Sequence, residues 1–234
     1  MTPIMKHKGV VLFFLFVPFF LFAQNETELI KKIKSKLDQV NDYQASGMLK
    51  IDVSFIKAPN SVIKVYYKKP DKFTIKKEGG ISILPKGGFG ANLNSIFITD
   101  KYTIVPAGET TLNNVKVKII KLLPLEENSN VVITTLYIDE KELLVKKSVI
   151  TTKENGTYQI ELAYGKYSNW GLPDTVVFVF NIKEYKLPKG VTVEYESGDK
   201  KSKINRDENK KGKVEISYSN YIINKGIPES FFGK

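Results

Sequence analysis

Residues 61–77 read SVIKVYYKKPDKFTIKK, two runs of alternating apolar and polar residues separated by a proline. Alternation with a period of two places one side of a strand in the core and the other side in water. Pro70 has no backbone N–H to give to a neighbouring strand, so it belongs at a corner or at a sheet edge. We therefore predict two strands, 61–69 and 72–77, joined by a corner. Their apolar side carries Ile63, Val65, Tyr67, Phe73 and Ile75.

Alternating runs of the same kind recur through most of the chain. The longest, residues 43–55, places Leu49, Ile51 and Val53 on its apolar side. Turn residues separate the runs at intervals of about 8–12 residues, which is typical of an all-β barrel or sandwich. We therefore predict about ten short strands. The later predicted strands are 96–99, 102–105, 115–119, 131–139, 143–151, 157–164, 176–180, 191–195, 214–218 and 221–224, of which 176–180 is a continuous apolar run, a strand or part of the core.

Two of these runs allow more detailed predictions. Asn155 and Gly156 both tolerate positive φ, so this pair predicts a tight hairpin turn between two late strands. In residues 115–119, apolar residues alternate with Lys116 and Lys118, and we expect both lysines on the wet side of the strand. The apolar side is assigned to Val115, Val117 and Ile119.

A helix precedes the strands. Residues 26–40 place their apolar residues on one stripe and their lysines largely off it, with the helical period. Asn25, followed by Glu28 three residues later, is typical of a helix start. We expect this amphipathic helix to pack on the sheet and to cover its open side. The stripe consists of Leu29, Ile30, Ile33, Leu37 and Val40.

The first 23 residues have the layout of a secretory signal peptide. Lys6 and Lys8 precede the apolar run 10–22, and Ala23 supplies the small residue of a cleavage site. A helix that spans a bilayer needs about 20 apolar residues, and this run is shorter. An uncleaved membrane anchor is the alternative interpretation. Cleavage near Ala23 would leave residues 24–234, a single domain of 211 residues, and would lower the formal charge from +11 to +9.

The residue types that are missing narrow the chemistry. The chain has no cysteine, and its single histidine, His7, lies in the predicted signal peptide. Disulfides, thiol or imidazole catalysis and histidine-ligated zinc are therefore excluded for the processed chain. Carboxylates remain, but no spacing fixes the geometry that a glycosidase needs. We predict no catalytic residue, no metal site and no cofactor, and a carboxylate-only enzyme stays as the alternative.

Two segments interrupt the strand pattern. Residues 78–94 are rich in glycine and predict a loop that folds over something apolar, because its isoleucines and phenylalanine are costly to expose. Residues 199–213 carry seven basic and three acidic residues, which predicts a charged flexible loop. The functional alternative is a basic flap attracted to anionic headgroups or to another acidic partner. Nucleic acid is not an expected partner, since no recognition motif accompanies the charge.

The order of these elements resembles the LolA/LolB-like family of periplasmic lipoprotein carriers, outer-membrane lipoprotein-sorting proteins whose relatives include RseB-like sensors and mycobacterial lipid-binding proteins. The resemblance rests on the helix that follows the predicted signal peptide, the long strand YQASGMLKIDV (43–53) and the strand–corner–strand YYKKPDKFTI (66–75). A late hairpin at Asn155 and Gly156 and the closing segment VEISYSNYIINKGIPESFF (214–232) support it. It covers essentially the whole chain after the signal peptide.

This resemblance implies a mostly β (α+β) fold, a curved antiparallel sheet that forms an incomplete, half-open barrel with the helix over its open side. It implies a periplasmic carrier or binding protein that holds acyl chains of lipoproteins or lipids for sorting to the outer membrane. Each buried methylene of such a chain contributes about 0.8 kcal/mol. We expect a monomer, with a membrane protein as a second partner. The hypothetical cavity residues are Leu49, Ile51, Val53, Ile63, Val65, Tyr67, Phe73, Ile75 and Phe97.

Other interpretations stay open. The lipoprotein carriers are associated with an arginine near the cavity, whereas the single arginine of this chain, Arg206, lies in the charged segment. A carrier for another amphiphile, or an RseB-like periplasmic sensor that regulates a membrane partner, fits the residues as well. In a small outer-membrane barrel the apolar faces would look outward from strands of about 9–11 residues, and most strands here are shorter. For each cavity residue, filling an ordinary core is the alternative role.

Overall fold

The structure is a computed structural model that describes residues 20–53, 59–77, 101–181 and 211–232. One α-helix and ten strands follow one another within these ranges. They are α1 (Phe20–Leu37), β1 (Asp42–Asp52), β2 (Ser61–Lys68), β3 (Lys72–Lys77), β4 (Tyr102–Leu112), β5 (Val115–Pro124), β6 (Val131–Asp139), β7 (Leu144–Thr152), β8 (Gly156–Ala163), β9 (Thr175–Asn181) and β10 (Lys211–Ile223). Two short 3-10 turns lie at Ser168–Trp170 and Glu229–Phe231.

All ten strands form one antiparallel sheet in the order β3-β2-β1-β10-β9-β8-β7-β6-β5-β4. The sheet does not close on itself, because within the described residues β3 pairs only with β2 and β4 pairs only with β5. These two edge strands follow one another along the chain and yet lie at opposite ends of the sheet. The incomplete, half-open barrel predicted from the sequence is therefore confirmed.

The sheet has one apolar side, which we call the inner face. Strand register builds it, since Leu49 lies opposite Ile216 and Ile51 opposite Val214 across the β1–β10 pair. Side chains from every strand either belong to one hydrophobic core or pack against it. The other side, which we call the outer face, carries most of the polar residues of the strands, together with a few apolar ones such as Met48 and Val62.

Helix α1 packs its apolar stripe into the same core. Leu29, Ile30 and Ile33 are exposed to only 3%, 1% and 2%. Burying a side chain of this kind fully stabilises the folded state by about 1.5–3 kcal/mol, so these three residues hold the helix on the inner face. The predicted role of the helix as a cover of the sheet agrees with this packing.

The bounds of α1 differ from the predicted 26–40. The helix begins at Phe20 and ends at Leu37, so it runs through the predicted cleavage site at Ala23. Asn25 and Glu28 both lie inside the helix, and their interpretation as a helix start is therefore wrong. The apolar stripe identified the buried side of the helix, but it carried no information on where the first turn begins.

The segment after β10, residues 224–232, crosses the outer face of β2 and β3, and we call it the C-terminal strap. The rings of Tyr66 and Phe231 have centroids 4.7 Å apart. Glu229 forms ion pairs with Lys68, at 2.7 Å, and with Lys72. The two segments that carry most of the sequence resemblance, the proline corner and the closing segment, thus contact each other directly.

Strand β10 corrects two predictions. Runs 214–218 and 221–224 form one continuous strand, and residues 211–213, assigned to the charged loop, are its first three residues. Gly212 lies opposite Phe180, and a Cβ at Gly212 would fall 2.4 Å from that ring. Glycine at this position therefore makes room for an aromatic side chain of the core, and this need for space was not evident from the charge pattern.

Several other predictions fall outside the described residues. These are most of the signal peptide, the glycine-rich segment 78–94, the runs 96–99 and 191–195, and residues 199–210 of the charged loop.

Two turns show how far local sequence determines the connections. The predicted hairpin does join β7 to β8, but its turn consists of residues 153–155 and Gly156 already pairs with Thr152. Of the predicted pair, Gly156 has a positive φ, 69°, and Asn155 does not. A second tight turn joins β4 to β5, where Asn113 and Asn114 have φ values of 48° and 63°. Positive φ at both central residues is characteristic of the turns that match strand twist. The asparagine pair was the sequence signal for this turn, and it was missed.

Candidate functional site

The structure brings the predicted cavity residues together on the inner face. Six of them are buried in the core, and Phe73 and Ile75 are partly buried against it. Phe97 lies outside the described residues. The six buried residues are Leu49, Ile51, Val53, Ile63, Val65 and Tyr67, all at most 8% exposed.

Burial along the inner face decreases toward the two edges of the sheet. Phe73 and Ile75 on β3 and Tyr102 and Ile104 on β4 are only partly buried, whereas the central strands contribute fully buried side chains. Among the described strands, the edges at β3 and β4 therefore border the less buried ends of an otherwise continuous apolar face. Lys34 of α1 lies over the Tyr102 ring, with its Nζ 5.9 Å from the centroid, so the helix contacts this end of the face.

Strand β5 corrects the predicted orientation of its residues. Lys118 pairs with Ile138, Ile120 with Leu136, and Leu122 with Thr134, which places these three β5 residues on the inner face. Side chains alternate along a strand, so Ile119 points the other way. The assignment of Ile119 to the apolar side and of Lys118 to the wet side is wrong. The sequence signal for the true orientation lies further along the strand, where the apolar residues Ile120 and Leu122 fall on the same side as Lys118.

The Lys118 side chain therefore lies between β5 and α1, where it pairs with carboxylates. Its Nζ lies 3.6 Å from Glu26 Oε1 of α1 and 3.4 Å from Glu140 Oε2, and the Lys118 and Glu26 side chains are 13% and 6% exposed. Glu26 Oε2 is buried and has no hydrogen-bond partner among the described residues. Ions removed from water at such a site need close countercharges, so this pair ties the first turns of α1 to β5.

Tyrosines cluster where β1, β2 and β10 meet. Tyr43 contacts Tyr67 and Tyr221 at centroid distances of 5.3 Å each, and Tyr218 lies 5.0 Å from Tyr221. Burial raises the pKa of Tyr43, Tyr218 and Tyr221 well above the ordinary range, so these phenols stay protonated. The Tyr221 hydroxyl donates to the carbonyl of Pro173 at 2.8 Å. The cluster supplies aromatic surface and hydroxyl donors, not anionic nucleophiles.

A groove of about 380 Å³ lies on the opposite, solvent side of α1. Lys36 borders it and donates from Nζ to the carbonyl of Glu142 at 2.6 Å. Desolvation lowers the pKa of Lys36, against the opposing effect of the Glu142 and Asp139 charges. The groove is separate from the inner face. Its lining is Glu28, Lys31, Lys32, Ser35, Lys36, Gln39, Leu143 and Asn169.

Two further observations concern the described ranges 20–53, 59–77, 101–181 and 211–232. No group of three or more metal-ligating side chains comes together in those ranges. None of the helices in those ranges is both long enough and apolar enough to pass through a bilayer. The candidate site is the apolar inner face, with the ion pair of Glu26 and Lys118 at its helix side.

The arrangement defines a class of fold, a half-open antiparallel sheet with a helix on its apolar face, and comparison with solved structures identifies the same fold. An outer membrane lipoprotein-sorting protein domain from Vibrio parahaemolyticus superposes with a TM-score of 0.57 at 12% identity, covering 90% of this chain and 97% of that one. A DUF1329 family protein from Desulfovibrio piger gives 0.55 at 12% identity, with 90% and 96% covered. A LolA superfamily protein from Nitrosomonas europaea gives 0.49 at 9% identity, with 87% and 97% covered.

The first two likenesses, with TM-scores of 0.57 and 0.55, confirm the predicted resemblance at the level of the fold. Scanning the sequence against protein-family models gives no match. Searching the curated proteins by sequence gives no match either.

Proposed function

We propose that this protein is a non-catalytic periplasmic carrier or binding protein that holds acyl chains of lipoproteins or lipids against its inner face, for sorting to the outer membrane. The observation that carries the proposal is a continuous apolar inner face, on a sheet whose described strands do not close into a barrel, with α1 packed on that face. A closed barrel or a sandwich would bury the same residues without leaving an open side to the sheet. The shared fold with a lipoprotein-sorting domain supports the same function.

Acyl binding requires α1 to give way, because the inner-face side chains are already packed against the helix and against each other. Each methylene of the ligand that replaces such contacts contributes about 0.8 kcal/mol, so a long chain compensates for the displaced helix contacts. We place the entrance between β3 and β4, where Phe73, Ile75 and Ile104 are only partly buried.

Two buried hydroxyls would serve the polar end of such a ligand. Ser148 Oγ and Tyr218 Oη are buried and have no hydrogen-bond partner among the described residues. Burying an unsatisfied polar atom costs about 1–3 kcal/mol, and a ligand ester or amide carbonyl that accepts from one of them removes this cost. Both groups are donors at neutral pH, since burial raises the pKa of Tyr218.

Export is part of the proposal. Residues 1–23 act as the signal peptide and residues 24–234 form one domain in the periplasm, acting as a monomer. Cleavage after Ala23 would leave Glu26 in the chain, so the buried pair between Glu26 and Lys118 is kept in the processed protein.

The decisive experiment starts from protein made from the full-length sequence and purified after export without detergent. Native mass spectrometry and organic extraction are expected to find a stoichiometric acyl-bearing molecule. Protein that is free of lipid and also fails to take up fatty-acid probes would overturn the carrier proposal, and a sensor that regulates a membrane partner would then be the better explanation.

Paired variants locate the binding site. Phe73→Ser with Ile75→Ser shortens the apolar face at the β3 edge and is expected to weaken binding of a fluorescent fatty acid about tenfold. Leu125→Ser is the control, since Leu125 is 63% exposed outside the core. Equal weakening in both proteins would show that the probe does not enter at the inner face.

A further inference from the structure

We propose that the outer face of β1–β3 docks on anionic lipid bilayers. The docking surface, here called the outer patch, consists of Met48, Lys50, Val62, Lys64 and Lys76. This inference does not rest on the acyl-carrier function, because every residue of the outer patch points away from the inner face.

Two large apolar side chains stand side by side in the outer patch. Met48 lies directly opposite Val62 across the β1–β2 pair. They are 41% and 59% exposed. Single exposed apolar residues are common on protein surfaces, but a directly paired couple on the polar side of a sheet leaves a small contiguous apolar area in water.

Three lysines surround this apolar couple. Lys50 follows Met48 by two residues on β1, and Lys64 follows Val62 by two residues on β2, so all four share the outer face. Lys76 lies directly opposite Lys64 on β3. Its Nζ is held on the outer face over the rings of Phe231 and Tyr66, at 4.6 and 5.5 Å. An apolar centre with a basic rim is the composition of surfaces that bind at membrane interfaces.

The lysine pair of the outer patch is electrostatically unfavourable in the free protein. Like charges directly opposite each other destabilise a sheet. No acidic side chain of the described ranges forms an ion pair with Lys64 or Lys76. The nearby Glu215 lies opposite Lys50 but is bound to Lys213 at 2.8 Å. Asp52, two residues after Lys50, is the other acidic residue on this part of the face.

The same two strands contain a lysine pair that serves as an internal comparison. Lys68 lies opposite Lys72, and there the C-terminal strap places Glu229 between the two ammonium groups. The protein thus neutralises one such pair internally and leaves the pair at Lys64 and Lys76 for an external anion. A bilayer that contains anionic phospholipid supplies that charge, and its interface accepts Met48 and Val62 as well.

The test uses protein produced from the full-length sequence and purified after export, with sucrose-loaded vesicles. Vesicles of equal parts phosphatidylcholine and phosphatidylglycerol are expected to pellet the protein at low salt, and vesicles of phosphatidylcholine alone are not. Lys64→Gln with Lys76→Gln should weaken binding about fivefold for each lysine removed. The change removes a repulsion, but it also removes the contacts of Lys76 with the Phe231 and Tyr66 rings. Urea denaturation of the variant therefore accompanies the binding measurement, and Lys64→Gln alone, which keeps those contacts, should still weaken binding about fivefold. Met48→Ser with Val62→Ser should weaken vesicle binding by a similar or larger factor. It should also reduce the part of the binding that persists at high salt, because that part does not depend on charge.

Matched controls keep the charge and the exposed apolar area equal. Lys116→Gln with Lys153→Gln removes two exposed charges at the other end of the sheet, and Leu125→Ser with Val132→Ser removes two exposed apolar side chains there. Patch variants that bind like wild type, or control variants that lose as much, overturn the proposal. Binding to an acidic protein in the absence of any vesicle binding overturns it too.

Discussion

At position 118 a charged side chain occupies an inner-face position, next in line with Ile120 and Leu122 on β5. Its two carboxylate partners are not equivalent, since the Glu26 side chain is 6% exposed and that of Glu140 is 49% exposed. Removing the cation leaves Glu26 buried without a countercharge, whereas removing Glu26 leaves Lys118 with Glu140. We therefore expect Lys118→Met to lower the free energy of unfolding by about 3 kcal/mol and Glu26→Gln by about 1 kcal/mol, measured by urea denaturation.

The double variant is the control for this asymmetry. Glu26→Gln with Lys118→Met leaves no buried unpaired charge, since the remaining carboxylate, Glu140, is 49% exposed, so the double variant should be more stable than Lys118→Met alone. Equal losses in the two single variants would show that both ions reach water in solution, and that the pair does not tie α1 to the sheet.

Glu229 is the residue whose contribution to stability should depend most clearly on pH. Hydrogen bonds from Lys68 and Lys72 lower its pKa from 4.5 to about 2. A lowered folded-state pKa adds stability above the unfolded pKa, and this is lost as pH falls through the folded value. The stability difference between wild type and Glu229→Gln should therefore be constant above pH about 4.5 and shrink toward pH about 2. Thermal unfolding midpoints across this window measure it, and a difference that does not change with pH would contradict the ion pairs.

At the scale of the element, α1 both contributes side chains to the core and covers the inner face, and a substitution in the helix tests whether it can loosen independently of the sheet. Ile33 is 2% exposed in the shared core. Ile33→Ala should destabilise the protein by about 2–4 kcal/mol and loosen the helix more than the sheet. Hydrogen exchange is expected to show faster exchange along α1, together with faster uptake of a fatty-acid probe.

Ser35→Ala is the control for this helix, because Ser35 lies on its solvent side and borders the groove there. Exchange that quickens equally in α1 and in the central strands after Ile33→Ala would mean that the helix cannot be released on its own, and the inner face would then have no mobile cover.

The elements also show which predictions a sequence supports. β2 and β3 were predicted almost to the residue, because their alternation is long and Pro70 marks the corner. β5 was predicted with the wrong side inward, since only three apolar residues were considered and Ile119 and Ile120 are adjacent. Strand pairing could not be read from the pattern either, because hydrogen-bond partners such as β1 and β10 are distant in sequence. Lys118 was missed for this reason, as its partners come from α1 and from the end of β6.

At the scale of the whole molecule, the open sheet and the helix form a competition. The apolar inner face is shared between α1 and the proposed acyl chain, so a ligand that enters must displace helix contacts. A ligand that binds only the folded state also stabilises it, by about 2.7 kcal/mol at a concentration of 100 times Kd. Loading should therefore raise the global stability and at the same time lower the local stability of one element.

This combination gives a prediction that an ordinary core protein would not fulfil. With saturating palmitate, the thermal midpoint should rise, amide exchange in β6–β9 should slow, and exchange in α1 should become faster than in the free protein. The free and loaded proteins are compared by hydrogen exchange with mass spectrometry, with palmitate-free buffer as the reference. If palmitate raises the midpoint while α1 keeps its protection, the ligand does not displace the helix, and a site outside the inner face, such as the groove beside Leu143, binds it instead.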